Sequence, residues 1–256
     1  DVLALRAVAY RHNTSGYIKN IAGTVLDTDG PVSTTVSASS AVATYGGANL
    51  YQNKDDIGEA TYTGGRIAAL WKPTDALSLT LQYVQQDVEQ QGLPYVQLNT
   101  GGYTQMSLDF GDIDPVLAGR QEGLKDDLTI INFVGEYDFG WATLLSSSSW
   151  LEDDSEQNYE VSSFVLGSPL VNLISNSSDV FTEELRLVSQ LDGSFQYMVG
   201  MYYEDIESDV VSPHYATADL ALNFFGTPFG ATNPLIDSGF RDTTVEQLTF
   251  FGELSY

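Results

Sequence analysis

Few residues of this chain have the types and spacing that catalysis requires. Cysteine is absent, which removes disulfides, thiolate zinc sites and cysteine nucleophiles together. Histidine occurs twice, as His12 and His214, so histidine-based metal sites and Ser-His-Asp catalysis have little to build on. The serines at 146–149 lie within a predicted strand, with no histidine near them in the sequence. We therefore predict that the chain is not an enzyme and needs no cofactor.

Carboxylates are the abundant reactive groups. The chain has 35 Asp+Glu against 10 Lys+Arg, a formal net charge of -25, and this charge repels phosphate backbones, so nucleic acid is excluded as a partner. The acidic runs at 55–56, 109–114 and 152–154 could supply oxygen ligands, but none has the spacing of a calcium loop. We predict solvated surfaces there and no metal site. Paired carboxylates occur throughout so acidic a chain, so they give no support to glycosidase chemistry.

The hydrophobic pattern predicts strands. Hydrophobic residues make up 43% of the 256 residues and aromatic residues 12%, too many for a disordered acidic chain. No unbroken apolar run reaches the roughly 18 residues of a membrane helix. Alternation with a period of two recurs instead, as where Leu77, Leu79 and Leu81 alternate with Ser78, Thr80 and Gln82. The pattern predicts eight strands: Leu3–Arg11, Gly64–Lys72, Leu77–Gln86, Leu128–Asp138, Ala142–Leu151, Phe181–Ser189, Phe195–Glu204 and Val245–Tyr256.

The connections between these strands alternate in length. Residues 73–75, 139–140 and 191–193 form tight turns, whereas the stretches 13–61, 90–124, 152–179 and 208–244 are long and rich in Gly, Ser, Thr, Asn and Asp. Those four stretches together carry a charge of -15 out of the total of -25. Short turns at one end and long loops at the other are typical of an outer-membrane barrel, with the turns periplasmic and the loops extracellular. Aromatic residues near the strand ends suit its interfacial girdles.

Several segments resemble the barrel strands of TonB-dependent outer-membrane receptors. They are Leu5-Arg6 through Tyr10 followed by 16–20, the hairpin Gly64 to Leu79, the segment Phe181 to Ser189 followed by Asp192-Gly193 and 199–203, and the ending Phe250 to Tyr256. The resemblance covers most predicted strands and little of the loops. It implies an all-β, antiparallel transmembrane β-barrel in which about eight strands belong to a larger barrel of 22 strands.

The resemblance also implies a function. Receptors of this family lie in the outer membrane of Gram-negative bacteria, among lipid and lipopolysaccharide. They import a scarce nutrient, most often a ferric siderophore, with energy from the inner-membrane TonB complex acting on a plug domain. No plug and no TonB box is recognisable here, and the chain starts without Met. Residues 1–256 are therefore expected to be a section of the barrel domain, and any contact with the TonB complex would pass through the missing plug.

Two groups of residues are candidates for the site. Aromatic and imidazole groups of the long loops could stack on a ligand at the receptor mouth, or could pack the loops together: Tyr95, Tyr103, His214, Tyr215, Phe224 and Phe225. Charged residues on the polar side of the strands are expected to line the lumen in structural roles: Arg66, Glu184, Arg186 and Glu253.

Two other interpretations fit parts of the pattern. The even strand count and the final Tyr256 also suit a complete, small eight-stranded outer-membrane barrel with an adhesion or structural role. A soluble β-sandwich, such as a carbohydrate-binding module, would use similar alternating strands. Closure of the sheet separates the first alternative from a receptor section, because a small barrel must pair its first strand with its last.

Overall fold

The fold is known from a computed structural model, which describes residues 2–20, 44–45, 48–49, 54–93, 110, 117–160, 170–216 and 235–256. Its regular elements are β1 (Leu3–Thr14), β2 (Ile18–Asn20), β3 (Thr44–Tyr45), β4 (Ala48–Asn49), β5 (Lys54–Ile57), β6 (Ala60–Trp71), β7 (Leu77–Gln91), β8 (Gly123–Asp138), β9 (Ala142–Glu160), β10 (Leu170–Ser189), β11 (Gln196–Ala216) and β12 (Leu235–Ser255). Within these ranges no helix has the length and apolar character to cross a membrane.

Eight strands form one antiparallel sheet in the order β1-β6-β7-β8-β9-β10-β11-β12. The short strands pair separately, β2 with β5 and β3 with β4. Strands β1 and β12 are described along their whole length, and each forms a ladder on one side only, with β6 and β11 respectively. The sheet is therefore open, as a section of a larger barrel requires. A complete eight-stranded barrel would need a ladder between β1 and β12, so that alternative is wrong.

The strands are longer than their sequence pattern predicts. Strand β9 continues to Glu160, β10 begins at Leu170, and β11 and β12 have 21 residues each. Much of the stretches predicted as loops at 152–179 and 208–244 is therefore strand. At about 3.3 Å per residue, 21 residues extend for about 70 Å, well beyond the roughly 25 Å apolar band of a membrane barrel even when tilted. We call the end with the connections 72–76, 139–141 and 190–195 the turn end, and the opposite end the loop end.

Register assigns each side chain to one of two faces. Directly paired residues share a face, and one row across six strands reads Leu79, Gly135, Ser146, Leu185, Met201 and Phe250. The neighbouring row on the opposite face reads Thr80, Val134, Ser147, Glu184, Tyr202 and Thr249. We call the first the outer face and the second the inner face. The sequence alternation predicts this sorting of Leu79 and Phe250 against Thr80 and Thr249, and the register confirms it.

Aromatic rings bound an apolar band on the outer face. Toward the loop end, the ring of Phe181 lies 5.2 Å from Trp150 and 6.2 Å from Tyr203, centroid to centroid. Toward the turn end, Phe139 lies 4.7 Å from Tyr137 and 5.8 Å from Trp141. Trp141 and Trp150 are about 30 Å of strand apart, or about 23 Å along the normal at a tilt of about 40°. This height suits a membrane band, with the rings as its two girdles.

Three aromatic residues depart from the girdle that the sequence predicts. Tyr10, Tyr62 and Tyr202 are near strand ends in the predicted pattern, but their register places them on the inner face. Closeness to a strand end in the sequence does not tell which face a ring occupies, because a shift of one position along the strand moves a side chain to the opposite face.

One carboxylate lies within the apolar band. Glu183 pairs across the sheet with Ser148 and Tyr203 and therefore faces outward. Both of its oxygens accept hydrogen bonds from β9, one from Ser146 Oγ at 2.8 Å and the other from Ser148 Oγ. These donors offset part of the cost of holding a carboxyl group in apolar surroundings. The serine run at 146–149 thus has a structural use in the sheet.

Candidate functional site

The inner face carries a polar network along the middle of the strands. Arg186 forms an ion pair with Glu184 two residues away on β10, and both side chains are partly exposed. On β11, Tyr202, which is paired with Glu184, donates a hydrogen bond to Glu204 Oε1 at 3.0 Å. The Nε atom of Arg186 is buried and has no hydrogen-bond partner among the described residues.

Two glycines leave room for aromatic side chains on this face. Tyr10 donates a hydrogen bond to Gln86 at 2.8 Å, and Gly64 occupies the strand between them. A Cβ at Gly64 would lie 2.6 Å from the Tyr10 hydroxyl. A Cβ at Gly200, next to Arg186, would lie 2.5 Å from the ring of Phe251. The absence of a side chain at these two positions therefore lets Tyr10 and Phe251 pack directly against the backbone of the neighbouring strand.

A second polar cluster lies on the inner face at the loop end. Asn172 is 5% exposed, and its amide donates a hydrogen bond to the Tyr159 hydroxyl oxygen at 2.6 Å. Its Oδ1 accepts a hydrogen bond from Ser212 Oγ at 3.0 Å. His214 is the direct partner of Asn172 in the ladder between β10 and β11, so its side chain belongs to the same face. Hydroxyl, amide and imidazole groups thus converge at the rim of the inner face.

Of the six predicted ligand residues, the structure describes two. Tyr95, Tyr103, Phe224 and Phe225 lie outside the described residues. His214 lies on β11 rather than in a loop, beside Asn172. Tyr215 follows it and is paired with Val171, so it belongs to the outer face. His214 and Tyr215 therefore lie on opposite faces of the sheet. Of these two residues, a ligand on the inner face could contact His214 and not Tyr215.

The four charged residues predicted for the lumen share the inner face. Arg66 pairs with Val8 and Val84, while Glu253 pairs with Met198 near the turn end. Only Glu184 and Arg186 of the four form an ion pair in the part of the chain that the structure describes. Sequence reasoning missed Tyr159, Asn172 and Ser212, because Asn and Ser in a polar stretch resemble loop residues. The signal available was their period-two spacing, which continues beyond the apolar part of the strands.

Negative charge increases toward the loop end. Asp153 lies on the inner face three residues beyond Trp150, above the apolar band. Burial raises the pKa of Asp153 above its ordinary value, and repulsion by Asp126 and Asp154 raises it further. The carboxylates do not converge on a metal, since no cluster of three or more His, Asp or Glu side chains suited to a metal ion occurs within the described ranges. The site offers hydrogen bonds and negative potential.

Known proteins match this chain through its fold. No protein-family model matches the sequence. The ferric yersiniabactin uptake receptor FyuA from Yersinia pestis superposes with a TM-score of 0.56 over 99% of this chain and 39% of its own, at 9% identity. The ferric citrate transporter FecA in its unliganded form gives a TM-score of 0.50 over 80% of this chain and 29% of its own, at 11% identity. The chain spans less than half of either protein, and it has the fold of a section of a TonB-dependent receptor barrel.

Proposed function

We propose that this section belongs to an outer-membrane receptor that takes up a scarce nutrient, such as a ferric siderophore. The observation that carries the proposal is the open eight-stranded arc, almost all of which superposes on an uptake receptor for a ferric chelate. Its apolar outer band would contact lipid and lipopolysaccharide of a Gram-negative outer membrane, and its inner face would line the lumen. The turn end would be periplasmic and the loop end extracellular.

In this proposal, residues 1–256 form part of the barrel domain, and energy reaches the receptor through a plug domain driven by the inner-membrane TonB complex. The inner face supports such a role because it combines the Arg186–Glu184 ion pair with a buried Arg186 Nε that has no hydrogen-bond partner among the described residues. An internal domain that supplies an acceptor to Arg186 would gain a charge-assisted hydrogen bond, worth about 1.5–3 kcal/mol. Arg66, Glu184, Arg186 and Glu253 would then be structural contacts of the lumen wall.

The rim cluster of Tyr159, Asn172, Ser212 and His214 is our candidate for ligand contact. These groups offer donors and acceptors to a polar chelate, while carboxylates elsewhere on the same face, such as Asp153, repel a highly anionic one. A neutral or cationic chelate is therefore the cargo that the charge distribution favours. Tyr95, Tyr103, Phe224 and Phe225 would add stacking surfaces from the loops, and Tyr215 would pack on the outer side.

Uptake of radioactive iron tests the proposal. The full-length protein is expressed in a Gram-negative strain that lacks its own ferric-chelate receptors, and neutral, cationic and anionic ferric chelates are supplied. We expect saturable uptake that a protonophore abolishes. Asn172→Leu should raise the half-saturating concentration of the chelate about tenfold. The hydrogen bond from Asn172 to the chelate is lost, and the Tyr159 and Ser212 hydroxyls lose their partner.

Asn158→Leu provides the matched control, since Asn158 is an equally buried asparagine on the outer face of β9. It should leave uptake unchanged. Uptake of no ferric chelate, or uptake that persists with the protonophore, would contradict an energised iron receptor. Equal effects of the two asparagine variants would show that Asn172 acts through stability and not through ligand contact.

A further inference from the structure

A separate cavity of about 260 Å³ lies at the loop end. Register places its strand residues Glu89, Lys125 and Glu156 on the outer face, opposite the rim cluster of Asn172. Four carboxylates (Glu59, Glu89, Glu122 and Glu156) and two cations (Arg120 and Lys125) line it, together with four side-chain amides, among them Asn158. Arg120 forms an ion pair with Glu156 at 3.8 Å. With four negative and two positive groups, the cavity is net negative.

Gly123 lies on the wall of this cavity. Gly123 lies between Gln91 of β7 and Asn158 of β9 in one row of the sheet and contributes no side chain to it. Its φ of +153° is one that other residues rarely adopt, and a Cβ there would lie 2.2 Å from the carbonyl oxygen of Gln90. Only glycine fits at this point. The close approach of the β7 and β8 backbones on this wall therefore requires glycine at position 123.

Asn158 supplies the sharpest feature of the cavity. Asn158 lines the cavity, the residue is 7% exposed, and its Oδ1 is buried with no hydrogen-bond partner among the described residues. A buried amide oxygen without a partner costs about 1–3 kcal/mol, so a ligand that donates a hydrogen bond to it would recover that free energy. The carboxylates beside it are acceptors too. The complement of this wall is a molecule with several donors and positive charge.

We propose that this cavity binds a small organic cation with several separated N–H donors, of the diamine or polyamine class. A metal ion does not fit, because the carboxylates do not converge in any group of three suited to one within the described residues. A polyamine needs no convergence, since its ammonium groups are spaced along a chain. The volume suits a small molecule and lies near the lower limit of ligand pockets.

The ligand would come from solution. Asn158 lies eight residues beyond Trp150 along β9, which is about 25 Å of strand above the aromatic rings that bound the apolar band. Lipid chains end below that height. The site also stands apart from the proposed uptake path, because its charged strand residues Glu89, Lys125 and Glu156 lie on the other face of the sheet. It would hold even if the cargo of the receptor were not a ferric chelate.

Equilibrium dialysis of labelled spermidine against the full-length protein in detergent micelles tests the proposal. Sodium chloride keeps the ionic strength constant in all samples. Mg²⁺ serves as a competing divalent cation. We expect one saturable site that Mg²⁺ at an equal concentration does not displace. Asn158→Leu should weaken spermidine binding about tenfold through the lost acceptor, and Glu156→Gln should weaken it by a similar factor. Retained heat-modifiable mobility on electrophoresis checks that each variant is folded.

Two variants serve as controls. Asn172→Leu removes a buried amide from the inner face, and Asp179→Asn removes one negative charge from the outer face below the cavity. Both should bind spermidine within twofold of the unaltered protein. Diffuse attraction to an acidic surface would instead show equal losses for Asp179→Asn and Glu156→Gln, with no effect of Asn158→Leu. That result, or full displacement by Mg²⁺, would overturn the proposal.

Discussion

The two faces of the same strands differ most at mid-height and resemble each other at the loop end. In the row of Leu79, the outer face carries two leucines, a methionine and a phenylalanine beside one glycine and one serine, while one residue away the inner face carries two threonines, a serine, a glutamate, a tyrosine and one valine. Further toward the loop end the outer row reads Asp87, Asp127, Asp154, Ser177, Asp209 and Asp242. Both faces are polar there, so water surrounds the strands on both sides.

This change along the strands locates the membrane. A soluble sandwich would bury its apolar face along the whole strand, whereas here the apolar stretch of the outer face ends at the rings of Trp150, Phe181 and Tyr203. Phe250 within the band is 73% exposed on the sheet, and lipid is the solvent that suits it. The contrast between the faces therefore depends on the band, and substitutions there should show it most strongly.

The largest effect should come from a charge in the apolar band. Leu79→Lys should destabilise the protein by about 2–4 kcal/mol if the position is near the membrane midplane, because an ammonium group there must leave water. Thr80→Lys, one residue away on the inner face, should change stability by only about 0.5 kcal/mol. Urea unfolding of the full-length protein from lipid vesicles measures both. Equal tolerance at the two positions would contradict the assignment of the outer face to lipid.

An intermediate effect should separate two glycines on opposite faces. At Gly200 on the inner face, a Cβ would lie 2.5 Å from Phe251 and 2.8 Å from the backbone oxygen of Leu185. At Gly135 on the outer face, the nearest atom, of Leu79, would be 3.5 Å away. Gly200→Ala should therefore cost about 1–3 kcal/mol through overpacking.

Gly135→Ala should be neutral, or should stabilise by up to about 1 kcal/mol, because it restricts the unfolded chain without a clash. The two variants differ from the native protein by the same single methyl group, so their comparison removes any effect of composition. Urea unfolding from lipid vesicles measures the free energy of unfolding of both variants. A Gly200→Ala variant as stable as Gly135→Ala would show that Phe251 does not hold its position over the glycine.

Alternation predicted the middle of the strands well and their upper ends poorly. Leu77, Leu79 and Leu81 contrast with their polar neighbours, and that contrast fixes strand and face together. Beyond Trp150 both faces are polar. Alternate residues such as those from Glu152 to Glu156 therefore do not differ in hydrophobicity, although the ladder continues. Backbone hydrogen bonds hold these residues in the sheet, and periodicity of side chains does not report them.

The rim cluster was hidden for a related reason. Asn172 and Ser212 are 40 residues apart in sequence and meet only because β10 and β11 pair in one particular register. Register is set by the whole ladder and by the turn at 190–195, which a single polar stretch cannot reveal. Arg186 and Glu184, in contrast, are two residues apart on one strand, and their pairing could be predicted from the alternation alone.

The smallest effect should come from the loop-end part of the outer face, where the two faces are alike. Asp127 lies beside Asp87 in the ladder of β7 and β8, above the apolar band. A hydrogen bond shared with Asp87 raises the pKa of Asp127, and burial and the charges of Asp87, Asp126 and Asp154 raise it further. The folded protein therefore holds this proton to a higher pH than the unfolded chain does. Stability from this pair is present in acid and is lost as the pH rises through the raised pKa.

Asp87→Asn should lower the pKa of Asp127 toward its ordinary value, since the amide of asparagine can donate to the ionised carboxylate. The variant should be more stable than the native protein at pH 7, by less than about 1 kcal/mol because both groups are near water. The gain should shrink as the pH falls toward about 4, the ordinary pKa of aspartate, because Asp127 of the native protein then holds its proton. Vesicle unfolding across this pH range measures it, with Asp192→Asn at the turn end as the control for one lost charge. A gain that is independent of pH, or equal in the control, would show that net charge and not the Asp87–Asp127 pair limits stability at this end of the sheet.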